Sequence, residues 1–187
     1  MSSDLTPEIV EPLLTGRLGR PYRFAAECAS TQRLLGEDEP EGTLVATDHQ
    51  TEGRGRLGRV WEDAPGRGLL FSVLLRPTLH MALWPELSLV AGEAVAAALP
   101  VEARVSHPND VFVGDRKIAG ILPEASTGRV RLGIGINVNQ TAAELPAETV
   151  KPTTSLRIAT GREWERGLLL AAILRELEQR YDTWQAR

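Results

Sequence analysis

A short segment rich in glycine and arginine contains the residues of this sequence best suited to chemistry. Residues 53–59 are GRGRLGR, with three glycines and three arginines, and Trp61 follows closely. Glycine lets backbone N–H groups approach a ligand, and the arginine guanidinium matches carboxylate or phosphate oxygens two at a time. The segment therefore predicts a loop that binds a small anion, with Trp61 as a flat surface for a nucleotide base. A solvated basic turn is the alternative.

The three glycines also satisfy G-x-G-x-x-G, the spacing of dinucleotide-binding loops. That spacing binds a dinucleotide only where a helix begins at the third glycine and its N-terminus contacts the pyrophosphate. Pro65 and Gly66 follow at once and would break such a helix, and residues 67–85 contain no acidic residue. The sequence therefore argues against a Rossmann site.

Composition limits the classes of partner. The chain has 187 residues, is 42% hydrophobic and carries a formal net charge of -4. A general nucleic-acid binder normally has a basic balance, so RNA binding through the arginine-glycine segment is a weaker interpretation, and we expect no DNA partner. We expect one domain over residues 1–187, because this length suits a single core and no linker divides it.

Three features indicate the compartment. Cys28 is a single cysteine and cannot form an internal disulfide, and apolar runs such as residues 168–174 are far shorter than the roughly 20 residues that span a bilayer. The first residues lack the basic start and apolar centre of a secretory signal. We therefore expect a cytoplasmic protein with no membrane partner.

The predicted fold is mixed α/β (α+β), a largely antiparallel sheet with helices packed on one side. Apolar and β-branched runs predict strands at residues 21–26, 43–48, 69–76 and 130–138, and a hairpin with strands at 111–113 and 117–122. Apolar residues at three- and four-residue steps predict helices over residues 84–99 and 163–184, and Ser30 and Thr31 open a short one. The first twenty residues are predicted to be peripheral and are too few for a DNA-binding helix-turn-helix domain.

Four segments resemble, in order, the motifs of biotin protein ligases. STQ at residues 30–32 is similar to that family's Ser-Thr-Asn, and GRGRLGRVW at 53–61 to its G-R-G-R-x-G-R-x-W. HPNDVFVGDRKIAGILPE at 107–124 resembles its Trp-Pro-Asn-Asp hairpin with Lys-(Leu/Ile)-Ala-Gly-Ile-Leu, and GIGINVN at 133–139 its late strand. Lipoate ligases share the fold but use Arg-Arg-x-(Ser/Thr)-Gly-Gly-Gly, which this chain lacks. The resemblance therefore indicates biotin.

The resemblance implies the class II synthetase-like catalytic fold of biotin and lipoate ligases and a reaction in two steps. ATP and biotin, with Mg²⁺, would give biotinyl-5′-AMP and pyrophosphate, and biotin would then pass to a lysine of the biotin carboxyl carrier domain of a carboxylase. Family members often pair sheet edges to form homodimers. They usually continue beyond the equivalent of Arg187 into a small β-barrel domain, which residues 1–187 do not include; whether the natural protein has it stays open. We expect a ligase of the short type, without a DNA-binding domain.

By similarity, the residues that would bind biotin are Ser30, Thr31, Gln32, Gln50, Arg54, Gly55, Arg56 and Lys117. Arg56 and Lys117 would be catalytic, because a carboxylate attacking a phosphate brings two anions together and requires fixed positive charge. The residues assigned to the nucleotide are Arg59, Trp61, Asn109 and Asn137, with Trp61 covering the adenine. No residue is assigned as a metal ligand.

Several of these residues also have ordinary structural explanations. Ser30 and Thr31 could cap a helix, Asn109 could belong to a turn, and Lys117 could be an exposed hairpin lysine. Asn137 is predicted to lie inside an apolar strand, where a buried amide needs partners.

Ser106 departs from the family's pattern, which has lysine two residues before the proline of the hairpin motif. Loss of an ammonium from such a site would cost roughly 2 to 4 kcal/mol of transition-state stabilisation. Two further functions therefore stay open: a non-catalytic protein that binds biotin or an adenylate, and a ligase for another carboxylate such as lipoate or octanoate.

Overall fold

The structure, a computed structural model, describes residues 3–146 and 151–187 and is built around one mixed sheet. Its seven strands are β1 (Tyr22–Ala25), β2 (Leu44–Thr47), β3 (Leu69–Leu75), β4 (Arg104–Ser106), β5 (Asp110–Val113), β6 (Arg116–Ser126) and β7 (Arg129–Ile136). They lie in the order β1-β2-β3-β7-β6-β5-β4. The β1–β2 pair is parallel and the other neighbouring pairs are antiparallel. The predicted mixed, largely antiparallel sheet is confirmed.

Two long helices cover one face of this sheet. The α-helices are α1 (Pro7–Val10), α2 (Thr31–Leu34), α3 (Leu87–Ala98), α4 (Leu156–Thr160) and α5 (Arg166–Gln185), and short 3₁₀ helices occur at Glu11–Leu13, Arg56–Gly58 and Met81–Glu86. The core lies between α3, α5 and the sheet, and alternate β7 residues such as Leu132 and Ile134 point into it. The residues between them, Gly133 and Gly135, therefore belong to the opposite face.

The predicted strands and the hairpin are present, with small shifts at their ends. The helix predicted over residues 84–99 begins as a 3₁₀ turn, and α3 starts only at Leu87, because Pro85 has no backbone N–H to donate. Ser30 precedes α2 as predicted, but its side chain makes no capping hydrogen bond. β4 and α4 were not predicted, since three and five residues are too few to show a period.

The prediction that the first residues are peripheral is wrong. The apolar side chains of Leu5, Val10, Leu14 and Leu18 are buried in the main core. Arg166 explains part of this packing, because its guanidinium is 4% exposed and forms ion pairs with Asp4 and with Asp48, the latter at 2.8 Å. The N-terminal segment is therefore tied to α5 and to the end of β2.

One segment, Met81–Ala98, is apolar and long enough to cross a membrane by length and composition. It comprises the 3₁₀ turn and α3, and residues such as Leu87, Ala91 and Val95 are buried in the core. Packing on the sheet accounts for this apolar composition.

Candidate functional site

The floor of the candidate site is a glycine-lined part of the sheet, on the face opposite the long helices. Gly135 of β7 is the register partner of Gly120 of β6, and Gly133 is the partner of Ser72 of β3. Without Cβ atoms, the three glycines leave a depression in an otherwise side-chain-covered surface. We call these three glycines the glycine floor.

The arginine-glycine loop, residues 50–66, lies over the glycine floor. Arg54 and Val60 form an antiparallel bridge, and the Trp61 N–H donates to the Gly53 carbonyl at 3.0 Å. A Cβ at Gly53 would lie 2.2 Å from the Trp61 carbonyl oxygen, so this approach requires glycine. Arg54 forms an ion pair with Glu124 of β6 at 2.8 Å. The loop is thus a narrow hairpin attached to the sheet, and Arg56 and Arg59 lie near its tip.

A buried carboxylate fixes both ends of the loop. The Asp63 side chain is inaccessible to solvent, and it accepts a hydrogen bond from the Gln50 backbone N–H at 3.1 Å and contacts the His49 ring at 2.5 Å. The Gly66 N–H donates to the Asp48 carbonyl at 2.8 Å. These contacts join the start of the loop to its end.

Trp61 lies directly on the glycine floor. A Cβ added at Gly135 would be 2.7 Å from the indole, and one at Gly120 would be 2.9 Å away. The Lys117 ammonium lies 5.5 Å from the centre of the ring, within the range of a cation–π contact. The indole Nε1–H is buried and, within residues 3–146 and 151–187, has no hydrogen-bond partner. An acceptor carried by a ligand would satisfy this donor.

Trp61 lines two cavities that share part of their walls. The inner cavity has a volume of about 140 Å³, room for about ten water-sized groups at roughly 10–15 Å³ each. The outer cavity is larger, at about 550 Å³. The residues lining both are Arg56, Arg59, Val60, Trp61, Asn109, Asp110 and Lys117. The site can therefore hold a small ligand inside and a larger one outside, in contact with each other.

The inner end of the smaller cavity is polar but uncharged. The Thr31 hydroxyl lies 2.7 Å from the Ser72 hydroxyl, and the Thr31 backbone N–H donates to Gln50 Oε1 at 2.9 Å. Because Gln50 accepts through Oε1, its Nε2 group is the part that can donate to a ligand. Gln32 Nε2 donates to the carbonyls of Leu122 and Arg131, which fixes α2 on the sheet. This end can pair with neutral donors and acceptors.

The other end of the site is cationic around one carboxylate. Asp110 is 7% exposed, and its two oxygens contact the ammonium groups of Lys117 at 2.8 Å and Lys151 at 2.9 Å. Burial raises the pKa of Asp110, but hydrogen bonds from the two ammonium groups outweigh it, so the pKa lies below its usual value. Arg56 is close by, with Nη1 3.4 Å from Asn109 Oδ1. Asp110 is therefore ionised and doubly paired.

The structure brings the predicted site residues together. The inner cavity is lined by Ser30, Thr31, Gln32, Gln50, Arg54, Gly55, Arg56, Arg59, Trp61, Asn109 and Lys117. Asn137 lines the outer cavity, but it lies one residue beyond β7 rather than inside a strand. Its side chain donates to the Thr154 carbonyl at 3.1 Å and accepts from Gln140 at 3.3 Å. Burial of Asn137 is thus explained by protein partners, and its contact with a nucleotide stays a prediction.

Sequence reasoning missed some residues of the site. Ser72 had a visible signal, since it is the one polar residue in the strand LLFSVLL. The glycine floor also had a visible signal, because two of its glycines, Gly133 and Gly135, lie at alternate positions of one strand. Lys151 had none, because it meets Asp110 from 41 residues away.

No group of three or more His, Cys, Asp or Glu side chains in the described part of the chain could hold a metal ion.

Comparison with known proteins gives one family. Residues 26–140 match the biotin/lipoate A/B protein ligase family. The bifunctional ligase/repressor BirA of Bacillus spizizenii is 38% identical over 93% of this chain. The biotin–[acetyl-CoA-carboxylase] ligase of Mycobacterium tuberculosis is 36% identical over 78% of it. This chain spans 58% and 56% of the lengths of those two relatives.

Solved structures agree with the sequence relatives. A variant of the biotin protein ligase from Aquifex aeolicus in complex with biotin matches with a TM-score of 0.77 and 36% identity, over 88% of this chain and 71% of that one. The same ligase in complex with biotin and ATP matches with a TM-score of 0.75 and 35% identity, over the same shares of the two chains. The fold is thus shared with proteins of this kind.

Proposed function

Since this chain belongs to the biotin/lipoate A/B protein ligase family, we propose that it is the catalytic part of a biotin protein ligase. In the first step it would join biotin to ATP, giving biotinyl-5′-AMP and pyrophosphate. In the second step it would transfer biotin to a lysine of a biotin carboxyl carrier domain, with release of AMP. We also propose that this reaction takes place in the cytoplasm.

One observation carries this proposal: the inner cavity, with its neutral polar end, and the cationic outer cavity meet at Trp61. Among the described residues, the outer cavity is lined by four cations, Arg56, Arg59, Lys117 and Lys151, and two carboxylates, Glu62 and Asp110. In a chain with a net charge of -4, this concentration of positive charge is local. It suits the phosphates of a nucleotide lying next to a small acid.

The first step requires an oxygen of the biotin carboxylate to attack the α-phosphorus while the bond to pyrophosphate breaks. Both reactants are anions, so positive groups fixed before the reaction stabilise the charge that develops. Arg56 and Lys117, at the junction of the two cavities, are the groups we assign to this role. In the second step the carrier lysine attacks the acyl carbon, and the bond to AMP breaks.

The inner end of the pocket supports biotin over lipoate. The ureido ring of biotin has one carbonyl and two N–H groups, and burying each unpaired would cost roughly 1 to 3 kcal/mol. Thr31, Ser72 and Gln50 offer hydroxyl and amide groups there. The dithiolane ring of lipoate has no such groups and would leave these side chains without ligand partners.

Magnesium fits this site poorly as a directly bound ion. The Asp110 carboxylate contacts Lys117, and both of its oxygens are already paired with ammonium groups. Mg²⁺ is commonly held through substrate phosphates, and we expect it to enter with ATP. No step of the mechanism is therefore assigned to a protein-bound metal.

Release of pyrophosphate tests the proposal. The protein is mixed with ATP and Mg²⁺, and pyrophosphate is measured with biotin, with lipoate, with octanoate and without an acid. We expect release that depends on biotin. Biotin binding without release would indicate the non-catalytic binder, and release with lipoate or octanoate instead would indicate a ligase for that acid.

Transfer to a carrier is tested separately, because it requires a second protein. The adenylate-forming protein is added to a biotin carboxyl carrier domain, and the mass of that domain is measured. A gain equal to one biotinyl group on its lysine is expected. We also propose a homodimer, by similarity to family members, and light scattering on the same samples tests it.

A further inference from the structure

The two lysines of this sequence lie on the same carboxylate. Of the 21 Lys and Arg residues, the lysines are Lys117 and Lys151, and the rest are arginines. Lys117 contacts one oxygen of Asp110 and Lys151 contacts the other, at 2.8 and 2.9 Å. An ammonium is a compact charge, whereas an arginine is a broad planar fork, so two lysines fit around one buried carboxylate. The use of lysine rather than arginine at positions 117 and 151 therefore matches the contacts with Asp110.

Lys151 is placed by the backbone pairing of the residues that follow it and by a contact with an aromatic ring. The Lys117 N–H donates to the Pro152 carbonyl at 2.8 Å, and the Thr154 N–H donates to the Lys117 carbonyl at 2.9 Å. The Lys151 ammonium also lies 5.2 Å from the centre of the Phe112 ring. The segment that carries Lys151 is therefore paired, backbone to backbone, with the strand residue that carries the other ammonium.

The charge of the cluster explains what a second ammonium adds. Lys117 with Asp110 alone would be a neutral ion pair, and it would present little field to an approaching anion. Lys151 brings a second ammonium to the same carboxylate. Asp110 is largely buried but the Lys151 side chain is 41% exposed, so solvent and salt screen the added charge in part. The Lys151 ammonium therefore adds positive charge to the lining of the outer cavity, which also includes Arg56.

We propose that Lys151 is a positioning residue of the proposed ligase reaction: it neutralises Asp110 so that the Lys117 ammonium stays available to the reacting carboxylate and phosphate. The proposal rests on the ligase function proposed above. It also explains how the site keeps two ammonium groups although position 106 is a serine in this chain and a lysine in the family's pattern.

Position 106 lies within reach of the same carboxylate. Ser106 of β4 is the register partner of Asp110 of β5. Directly opposite residues of an antiparallel pair have Cβ atoms about 4.5–5.5 Å apart and lie on one face of the sheet. A lysine at 106 could therefore contact Asp110 from the β4 side, in place of Lys151. This gives a rescue experiment in which the ammonium is moved from one segment to another.

The test compares four proteins by biotin-dependent pyrophosphate release: wild type, Lys151→Met, Ser106→Lys and the double variant. We expect Lys151→Met to lower kcat by about tenfold to hundredfold, less than the ~10²–10³ lost when a direct oxyanion donor is removed. Ser106→Lys alone should stay near wild type, and the double variant should recover most of the lost rate. Biotin affinity, measured by calorimetry, should change much less than kcat in all four, since the polar inner end that would hold the ureido ring is untouched.

Arg175→Met is the matched control. It also removes one positive charge, but Arg175 is exposed on α5, on the other side of the sheet. Its rate should equal that of wild type. Thermal unfolding of every variant shows whether a lower kcat results from unfolding of the protein. Lys151→Gln provides a second substitution if Lys151→Met unfolds.

A spectroscopic measurement tests the cluster without the reaction. With ¹⁵N-lysine labelling, the chain gives two side-chain ammonium signals, and Lys151→Met assigns them. Asp110→Asn should shift both signals. A shift of one signal alone would contradict the shared contact.

The outcomes separate the two proposals. If wild type releases no pyrophosphate with biotin, the ligase function fails. If wild type is active and Lys151→Met keeps its full kcat, or if Ser106→Lys does not restore the lost rate, the role of Lys151 is overturned while the ligase function stands.

Discussion

Gly135→Ala tests whether the indole of Trp61 rests on the glycine floor. The new Cβ would lie 2.7, 2.9 and 3.1 Å from three atoms of the Trp61 ring. Carbon atoms pack best at about 3.5–4.0 Å, so the ring would have to retreat by about 1 Å. Overpacking of this kind costs about 1–3 kcal/mol. Because Trp61 is on a loop, we expect the lower part of that range.

The assay is a double-mutant cycle of urea unfolding. Free energies of unfolding are measured for wild type, Gly135→Ala, Trp61→Ala and the double variant. With the indole removed, the added methyl group meets no ring, and alanine is the better strand residue by roughly 0.5–1 kcal/mol. Gly135→Ala should therefore destabilise the wild type and be neutral or stabilising in the Trp61→Ala background, with a coupling in the lower part of the range of about 1–3 kcal/mol.

Gly133→Ala is the control for this cycle. It lies two residues away on the same face, but its Cβ would meet the Gln32 side chain at 3.0 Å instead of the indole. Its effect should be the same with and without Trp61, within about 0.3–0.5 kcal/mol. If Gly135→Ala were equally additive with Trp61→Ala, the placement of the indole on the glycine floor would be refuted.

Three other substitutions test separate parts of the site. Arg56→Gly should leave the unfolding temperature nearly unchanged, because Arg56 is exposed, but should let biotinyl-5′-AMP escape; equal retention of adenylate after rapid filtration would contradict its role. Asn137→Ala should lower the free energy of unfolding in urea by about 1–3 kcal/mol, because the Thr154 carbonyl and the Gln140 amide lose their partner; no change would refute this. The ionised Asp110 carboxylate has a pKa lowered from 3.8, so it stabilises the fold above that pH, and this contribution is lost as the pH falls through the lower folded-state pKa. Asp110→Asn should remove that part of the acid dependence of urea unfolding, whereas an identical pH profile would show that the carboxylate is not stabilised.

Most of the fold was predictable because its signals are local. Alternating or continuous apolar runs identify strands such as β3 and β7, and Gly114 takes the left-handed backbone conformation, with a φ of 58°, that the predicted hairpin turn needs. The start of α5 was placed three residues early, at 163. In the structure, the backbone N–H of Arg166, the first residue of α5, donates to the Asp4 carboxylate. This partner is 162 residues away, so no local pattern marks the start of the helix.

The candidate site was predictable where a motif is continuous in sequence. The arginine-glycine loop and the hairpin around Lys117 carry their own signals. The contacts of Lys151 and Ser72 depend on segments that meet only in the folded chain, and no local pattern of charge or hydropathy encodes them. The position of Trp61 between two cavities likewise follows from the glycines of two other strands.

Calorimetric titration with biotin tests the central claim most directly, because it measures the occupant of the inner cavity without requiring catalysis. Biotin is titrated into the wild-type protein with and without ATP and Mg²⁺. The account predicts saturable binding of about one biotin per chain, and additional heat when ATP is present. No saturable binding of biotin up to about 1 mM, a concentration that detects binding free energies as weak as about −4 kcal/mol, would contradict it.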